Sequence, residues 1–127
     1  MLTRITGRRV EIQHLVAPPD AMVRKHDVFE LEETLCALVL EKEQPVGLEQ
    51  LSRSALSDHP AHRAYGSEAY LGAPVLVEGD LLGTICFTSS FPRGRPFRDV
   101  EPTLRLLAER GILRFLLTSG VHRRQRT

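Results

Sequence analysis

Tyr70-Leu-Gly-Ala-Pro-Val-Leu-Val77, Glu78-Gly79-Asp80 and Leu81-Leu-Gly-Thr-Ile-Cys-Phe-Thr88 are the stretch on which the reading of this fold turns. The outer segments are apolar and too short for long helices, so they read as two paired strands joined at Glu78-Gly79-Asp80. With Gly79-Asp80 as a two-residue loop, glycine supplies the positive φ that a type II′ turn requires first. That register sets Leu76 opposite Gly83, Pro74 opposite Ile85 and Gly72 opposite Phe87. The other face then carries Leu71, Ala73, Val75, Val77, Leu82, Thr84 and Cys86. Both faces are largely apolar, so both are expected to be covered. Gly72 and Gly83 leave room for a neighbouring ring or a ligand, with packing the plainer role.

Upstream of the hairpin the pattern alternates between strand and helix. Val10, Ile12 and Val16 lie in phase over residues 9–16, a strand signal broken by Ala17-Pro-Pro-Asp20. Residues 28–31 suit a short strand. From Glu33 to Glu43 the spacing turns helical: Leu35, Leu38 and Val39 share one face, with Cys36 beside it. Gln44-Pro45 ends that helix. Val46–Leu51 suits another short strand, and residues 52–60 read as a polar loop. A short helix over Ala61–Tyr65 follows, with Pro60 in its first turn and Asp58 or His59 near its cap.

Downstream, Phe91–Pro96 is a loop and Asp99 can cap a terminal amphipathic helix. Val100, Leu104, Leu107 and Gly111 form one stripe on it. Leu106, Leu113 and Leu117 form a second, joined by Ile112, Phe115 and Leu116. One stripe suits the sheet, and the second needs another partner or a longer core surface.

Length and composition bound the function. The chain has 127 residues, 42% apolar and 26% charged, with a formal charge of +1. This fits one globular domain, with no global pull toward nucleic acid or anionic membrane. The domain is expected over residues 1–120, with 121–127 a basic tail or linker stub. No apolar run reaches the ~20 residues of a membrane span, and the first nine residues lack a signal-peptide core, so a cytoplasmic location is expected. The two cysteines, Cys36 and Cys86, sit in apolar segments without ligand spacing and read as buried free thiols.

Four stretches, in order, resemble the GAF domains of bacterial signalling proteins. They are Phe29–Glu41, Asp58–Gly66, the hairpin Tyr70–Phe87, and Arg95-Pro-Phe-Arg-Asp-Val with the following Leu104-Arg-Leu-Leu-Ala108. The resemblance runs from about Arg9 to Phe115. It implies an α+β fold: a central antiparallel sheet of five to six strands in a three-layer arrangement, flanked by helices, with a small-molecule cavity under loops. It also implies dimerisation through terminal helices and an effector, a sensor histidine kinase or diguanylate cyclase, in the same polypeptide. One departure stands out. Only Met1–Thr6 occupy the place of the family's helix before the first strand, so that helix is truncated or missing.

The expected function is a small-molecule-binding sensor rather than an enzyme, with Leu35, Cys36, Val39, Tyr65, Ser67 and Tyr70 as candidate ligand contacts. The ligand is unidentified. The tyrosines combine a stacking face with a hydroxyl that can fix orientation. A ligand-free dimerisation or relay scaffold is the alternative. A free-standing thiol enzyme of the methionine sulfoxide reductase type is a third reading. Cys36 lies roughly where that group has a helix cysteine, but residues 58–70 carry none where its catalytic loop has one. Phytochrome-like GAF domains attach bilin through a cysteine followed by histidine. Here Ala37 follows Cys36 and Phe87 follows Cys86, so no covalent bilin is expected. His59 and His62 beside Asp58 could ligate a metal or haem on a short helix, yet a loop pair with proline between reads as structural or exposed. No catalytic or metal residue is assigned. The basic tail reads as a solvated helix end, not a nucleic-acid site.

Overall fold

A computed structural model describes residues 1–109. Its core is one six-stranded antiparallel sheet: β1 (Leu2–Thr6), β2 (Arg9–His14), β3 (Val28–Glu30), β4 (Val46–Leu48), β5 (Ala69–Val77) and β6 (Asp80–Ser89). The spatial order is β3-β2-β1-β6-β5-β4. Three helices accompany it: α1 (Cys36–Lys42), α2 (Pro60–Arg63) and α3 (Glu101–Glu109).

The hairpin forms, but its register differs from the sequence expectation. Its loop is Glu78-Gly79, with Val77 paired to Asp80. Both loop residues have positive φ, 53° and 86°, as a type I′ turn requires. A register shift between Val75 and Leu76 then places Val75 opposite Gly83, Ala73 opposite Ile85 and Gly72 opposite Cys86. A one-residue slip exchanges the faces of an entire strand. Thr84 and Cys86 therefore join Gly72 and Tyr70, whereas Ile85 joins Leu71, Ala73 and Val75. Pro74 sits past the end of β4, where the β4 side of β5 is an unpaired edge that tolerates a residue without an N–H.

The segment before the expected first strand is itself a strand. β1 lies at the centre of the sheet, pairing Leu2 with Ile85 and Thr3 with Thr84 on one side and Thr6 with Arg9 on the other. Gly7, at φ 61°, opens the tight loop to β2. Gly83 is the point of closest approach: a Cβ there would stand 1.8 Å from the Thr3 carbonyl oxygen. Gly72 holds no ligand space either, because the Tyr70 hydroxyl lies 2.3 Å from where its Cβ would be. Both glycines serve packing.

The expected helix over 33–43 begins later. A 3-10 turn covers Leu31–Glu33, and α1 runs from Cys36 until Glu43 turns left-handed at φ 51°, with Pro45 beyond it. The apolar pattern expected on α3 is buried only in part: Leu104 and Ala108 are buried, Val100 packs against their cluster, and Leu106 is exposed. Gly111, the remainder of the second stripe (Ile112, Leu113, Phe115, Leu116 and Leu117) and the basic tail lie outside the described residues.

The sheet has two covered faces. α3 and Phe97 pack on Leu2, Ala69, Leu71, Ala73 and Val75. The opposite face holds a second cluster in which α1, Leu51 and Ala61 surround Val10, Val46, Tyr70 and Cys86. No helix among the described residues is long and apolar enough to cross a membrane.

Candidate functional site

On the α1 side of the sheet the packing leaves a cavity of about 520 Å³. Its floor comes from the central strands: Thr3 of β1, Val10 and Ile12 of β2, Tyr70 of β5 and Cys86 of β6. Its wall comes from Glu33 to Cys36, at the entry to α1. Its mouth lies among three loops, which contribute Met22, Tyr65 and Phe91. Met22 and Phe91 are 69% and 76% exposed, so they border solvent rather than fill the space.

Five of the six residues expected at a ligand site line this cavity: Leu35, Cys36, Tyr65, Ser67 and Tyr70. Val39 does not. It lies one helical turn past Leu35 and is fully buried in the cluster behind the wall. Tyr65 is 38% exposed and stands edge-on to Phe29, with ring centroids 5.8 Å apart. Tyr70 is buried, its ring lying across Gly72.

The polar floor is a connected network. Thr3 and Thr84 face each other across β1 and β6, with hydroxyl oxygens 2.6 Å apart. Thr84 Oγ1 is also 3.3 Å from Cys36 Sγ and 4.0 Å from Cys86 Sγ. The Tyr70 hydroxyl donates to Cys36 Sγ at 3.9 Å. All five residues are buried, and in that setting polar groups must satisfy one another. Cys36 is held down to a pKa of about 6: the Cys86 thiol stabilises its anion most, and Thr84, Tyr70 and Thr34 add to this against the opposing effect of burial. Cys86 moves the other way, well above the ordinary thiol value, because its neighbour Cys36 takes the negative charge and because it is buried. Burial, then the two thiols, push Tyr70 up as well.

The sequence reading missed Thr3, Thr84 and the role of Cys86. Cys86 was placed on the opposite face by the hairpin register, and Thr3 carried no strand signal. The pairing of Thr84 with Thr3 spans 81 positions and has no local signature.

The histidines near the rim are occupied in structure. His59 Nδ1 accepts from the Ala61 N–H and caps α2, and partial burial lowers its pKa, which suits that accepting role. His62 bridges the Ser57 carbonyl and Glu68, at 2.9 and 2.8 Å. Glu68 also accepts from Ser52. Among the described residues no group of three or more His, Cys, Asp or Glu side chains could hold a metal ion.

A sheet of this order, covered by helices and hollow on one face, is the architecture expected from the hairpin resemblance. A family model described as GAF domain matches residues 4–110, and the chain belongs to that family. No curated protein matches the sequence. Among solved structures, a type II free methionine-R-sulfoxide reductase from Thermoplasma acidophilum aligns with TM-score 0.70 at 15% identity, covering 93% of this chain and 77% of that one. The GAF domain of an Acinetobacter phosphoenolpyruvate-protein phosphotransferase aligns with TM-score 0.63 at 18% identity, covering 99% and 73%. The cyanobacteriochrome receptor PixJ aligns with TM-score 0.66 at 12% identity, covering 91% and 79%. At such identities the likeness concerns the fold alone.

Proposed function

We propose that this domain is a sensory module that binds a small molecule in the cavity over Tyr70 and Cys36. The observation that carries the reading is the cavity itself. About 520 Å³ of space is within the range of small-molecule sites, and its mostly apolar wall with a few convergent polar groups is their usual chemistry. Leu35, Cys36, Tyr65, Ser67 and Tyr70 are the proposed contacts, and Val39 supports the wall from behind. Among the described residues the lining includes Asp20, Glu33 and the N-terminal residue Met1, but no lysine, arginine or histidine side chain. A neutral or cationic ligand with an apolar body suits that lining better than a phosphate or carboxylate.

The bound state would pass through β5, which carries Tyr70 on one face and packs α3 with the other. From α3 it would reach an effector in the same polypeptide, a histidine kinase or diguanylate cyclase, in a cytoplasmic homodimer joined through terminal helices. The size of such an effect is limited by the ligand's affinity difference between the two states.

A ligand-free relay scaffold would fill the space with its own side chains, and an open cavity speaks against it. A thiol enzyme of the methionine sulfoxide reductase type gains one supporting observation, the position of Cys36 on the cavity. Among the described residues no lysine, arginine or histidine side chain lines the wall to hold an amino-acid carboxylate.

The test is a thermal-shift screen of the full chain with neutral, cationic and anionic small molecules. A ligand at a hundred times its Kd is expected to add about 2.7 kcal/mol, and Ser67→Phe, which fills the mouth, is expected to abolish the shift. If no class of molecule raises the midpoint, the sensory reading fails.

A further inference from the structure

The cavity floor holds both cysteines of the chain. They come from different layers, Cys36 from the first position of α1 and Cys86 from β6, and they meet at one hydroxyl, Thr84 Oγ1. Both sulfurs lie within 4.0 Å of that one oxygen, on the same side of the sheet. Plain core packing does not explain why two thiols, two threonine hydroxyls and a tyrosine hydroxyl are gathered beneath an open space. We propose that Cys36 and Cys86 form a hydroperoxide-responsive dithiol, which closes to an intramolecular disulfide and releases the Tyr70 hydroxyl into the cavity.

The reaction needs only a hydroperoxide, hydrogen peroxide being the smallest, and the cavity admits it. The Cys36 thiolate attacks one peroxide oxygen. The S–O bond forms, the O–O bond breaks, and the departing oxygen leaves as water or alcohol after taking a proton. Cys36 is then a sulfenic acid. The Cys86 thiol gives up its proton and its sulfur attacks the Cys36 sulfur, expelling hydroxide, which leaves as water. Two thiols and one hydroperoxide thus yield one disulfide, one water and one further water or alcohol.

The electrostatics order these two steps. Cys36 is the thiolate of the pair, with a pKa of about 6. Cys86 is held protonated chiefly by that neighbouring charge. Conversion of Cys36 to a neutral sulfenic acid removes the charge, so Cys86 becomes the easier thiol to ionise only after the first step. The Tyr70 hydroxyl, which donates to Cys36 Sγ, loses its anionic acceptor in the disulfide. It is then available to a cavity ligand or to water. Oxidation would therefore change the chemistry of the cavity floor without moving a strand.

The experiment treats the reduced full chain with one equivalent of hydrogen peroxide. Expected are a mass loss of two hydrogens, a Cys36–Cys86 cross-link on peptide mapping, reversal by dithiothreitol, and a change in tyrosine fluorescence, which is unobscured because the chain has no tryptophan. Cys86→Ser is expected to stop at a Cys36 sulfenic acid trapped by dimedone. Cys36→Ser is expected to consume peroxide at least about tenfold more slowly than the parent. Thr84→Val keeps both thiols and removes their shared hydroxyl, and it is expected to slow the first step if circular dichroism shows it folded. The proposal is overturned if folded parent protein keeps both thiols free under these conditions, if the disulfide forms between chains, or if Cys36→Ser reacts as fast as the parent. Ligand-induced stabilisation alongside inert thiols would retain the sensory reading and eliminate this one.

Discussion

The two faces of the β5–β6 ribbon are built from alternate residues of the same strands, yet one is solid and the other hollow. On the solid face Ala69, Ala73 and Ala108 are small enough to let α3 approach closely, and Leu71, Val75 and Leu104 fill the remainder. On the hollow face α1 has seven residues and α2 four, against nine in β5. Such short helices cannot roof the sheet, so loops complete the cover and space remains. The polar side chains on that floor bond to one another and to the Thr84 backbone. The contrast assigns stability mainly to the α3 side and chemistry to the α1 side.

The largest test of this division is at the seam shared by both faces. Gly83→Ala would drive a Cβ into the backbone of β1, where no side-chain rotation can relieve it. Loss of about 4 kcal/mol, or failure to fold, is expected in urea denaturation. Matched truncations then compare the faces directly. Leu104→Ala on the solid face is expected to cost about 3 kcal/mol, because it opens a new void. Leu35→Ala on the cavity wall is expected to cost about 2 kcal/mol, because it enlarges a space that already exists. Equal losses would mean that the hollow face is packed in solution.

The floor of the hollow face also carries a pH dependence. Cys36 has a folded pKa of about 6, below the value of about 8.5 for an unfolded thiol. The anion therefore stabilises the fold fully above about pH 8.5, and this contribution disappears as pH falls through 6. Relative to Cys36→Ser, the parent is expected to gain on the order of 1 kcal/mol per pH unit between those limits. At still higher pH the raised values of Cys86 and Tyr70 act oppositely and take stability away. A flat difference between parent and Cys36→Ser across pH 6 to 8.5 would show that Cys36 is not the thiolate.

What could be seen in the sequence follows the same division between local and distant causes. The hairpin, the apolar run of β5, the short helix after Pro60 and the end of α1 before Pro45 each depend on neighbours a few positions apart. The facing of β6 does not. It is set by the left-handed conformation of Glu78 and the register shift at Val75, neither of which has a strong residue signature. Glutamate is not a residue that announces a positive φ. β1 was missed because Leu2–Thr6 is short, and its stability comes from β2 on one side and β6, some eighty residues away, on the other. The wall residues around Leu35 and Cys36 were legible from helical spacing. The Thr3–Thr84 pair and the approach of Cys86 to Cys36 required the sheet to be assembled first.

The smallest expected effect is the most direct comparison of the two environments, because it repeats the Gly83 substitution at Gly72. A Cβ at Gly72 meets the phenol end of Tyr70, not a strand backbone. That end faces a cavity, so the ring can swing into open space where β1 could not yield at Gly83. Gly72→Ala is therefore expected to cost only about 1 kcal/mol, well below the loss at Gly83. The displaced hydroxyl would leave Cys36 with one hydrogen-bond donor fewer, so the thiolate should titrate at higher pH than in the parent. Alkylation of Cys36 followed against pH measures that shift. An unchanged titration with a large stability loss would mean that the Tyr70 ring is clamped on both sides, and that the hollow face is rigid at its floor.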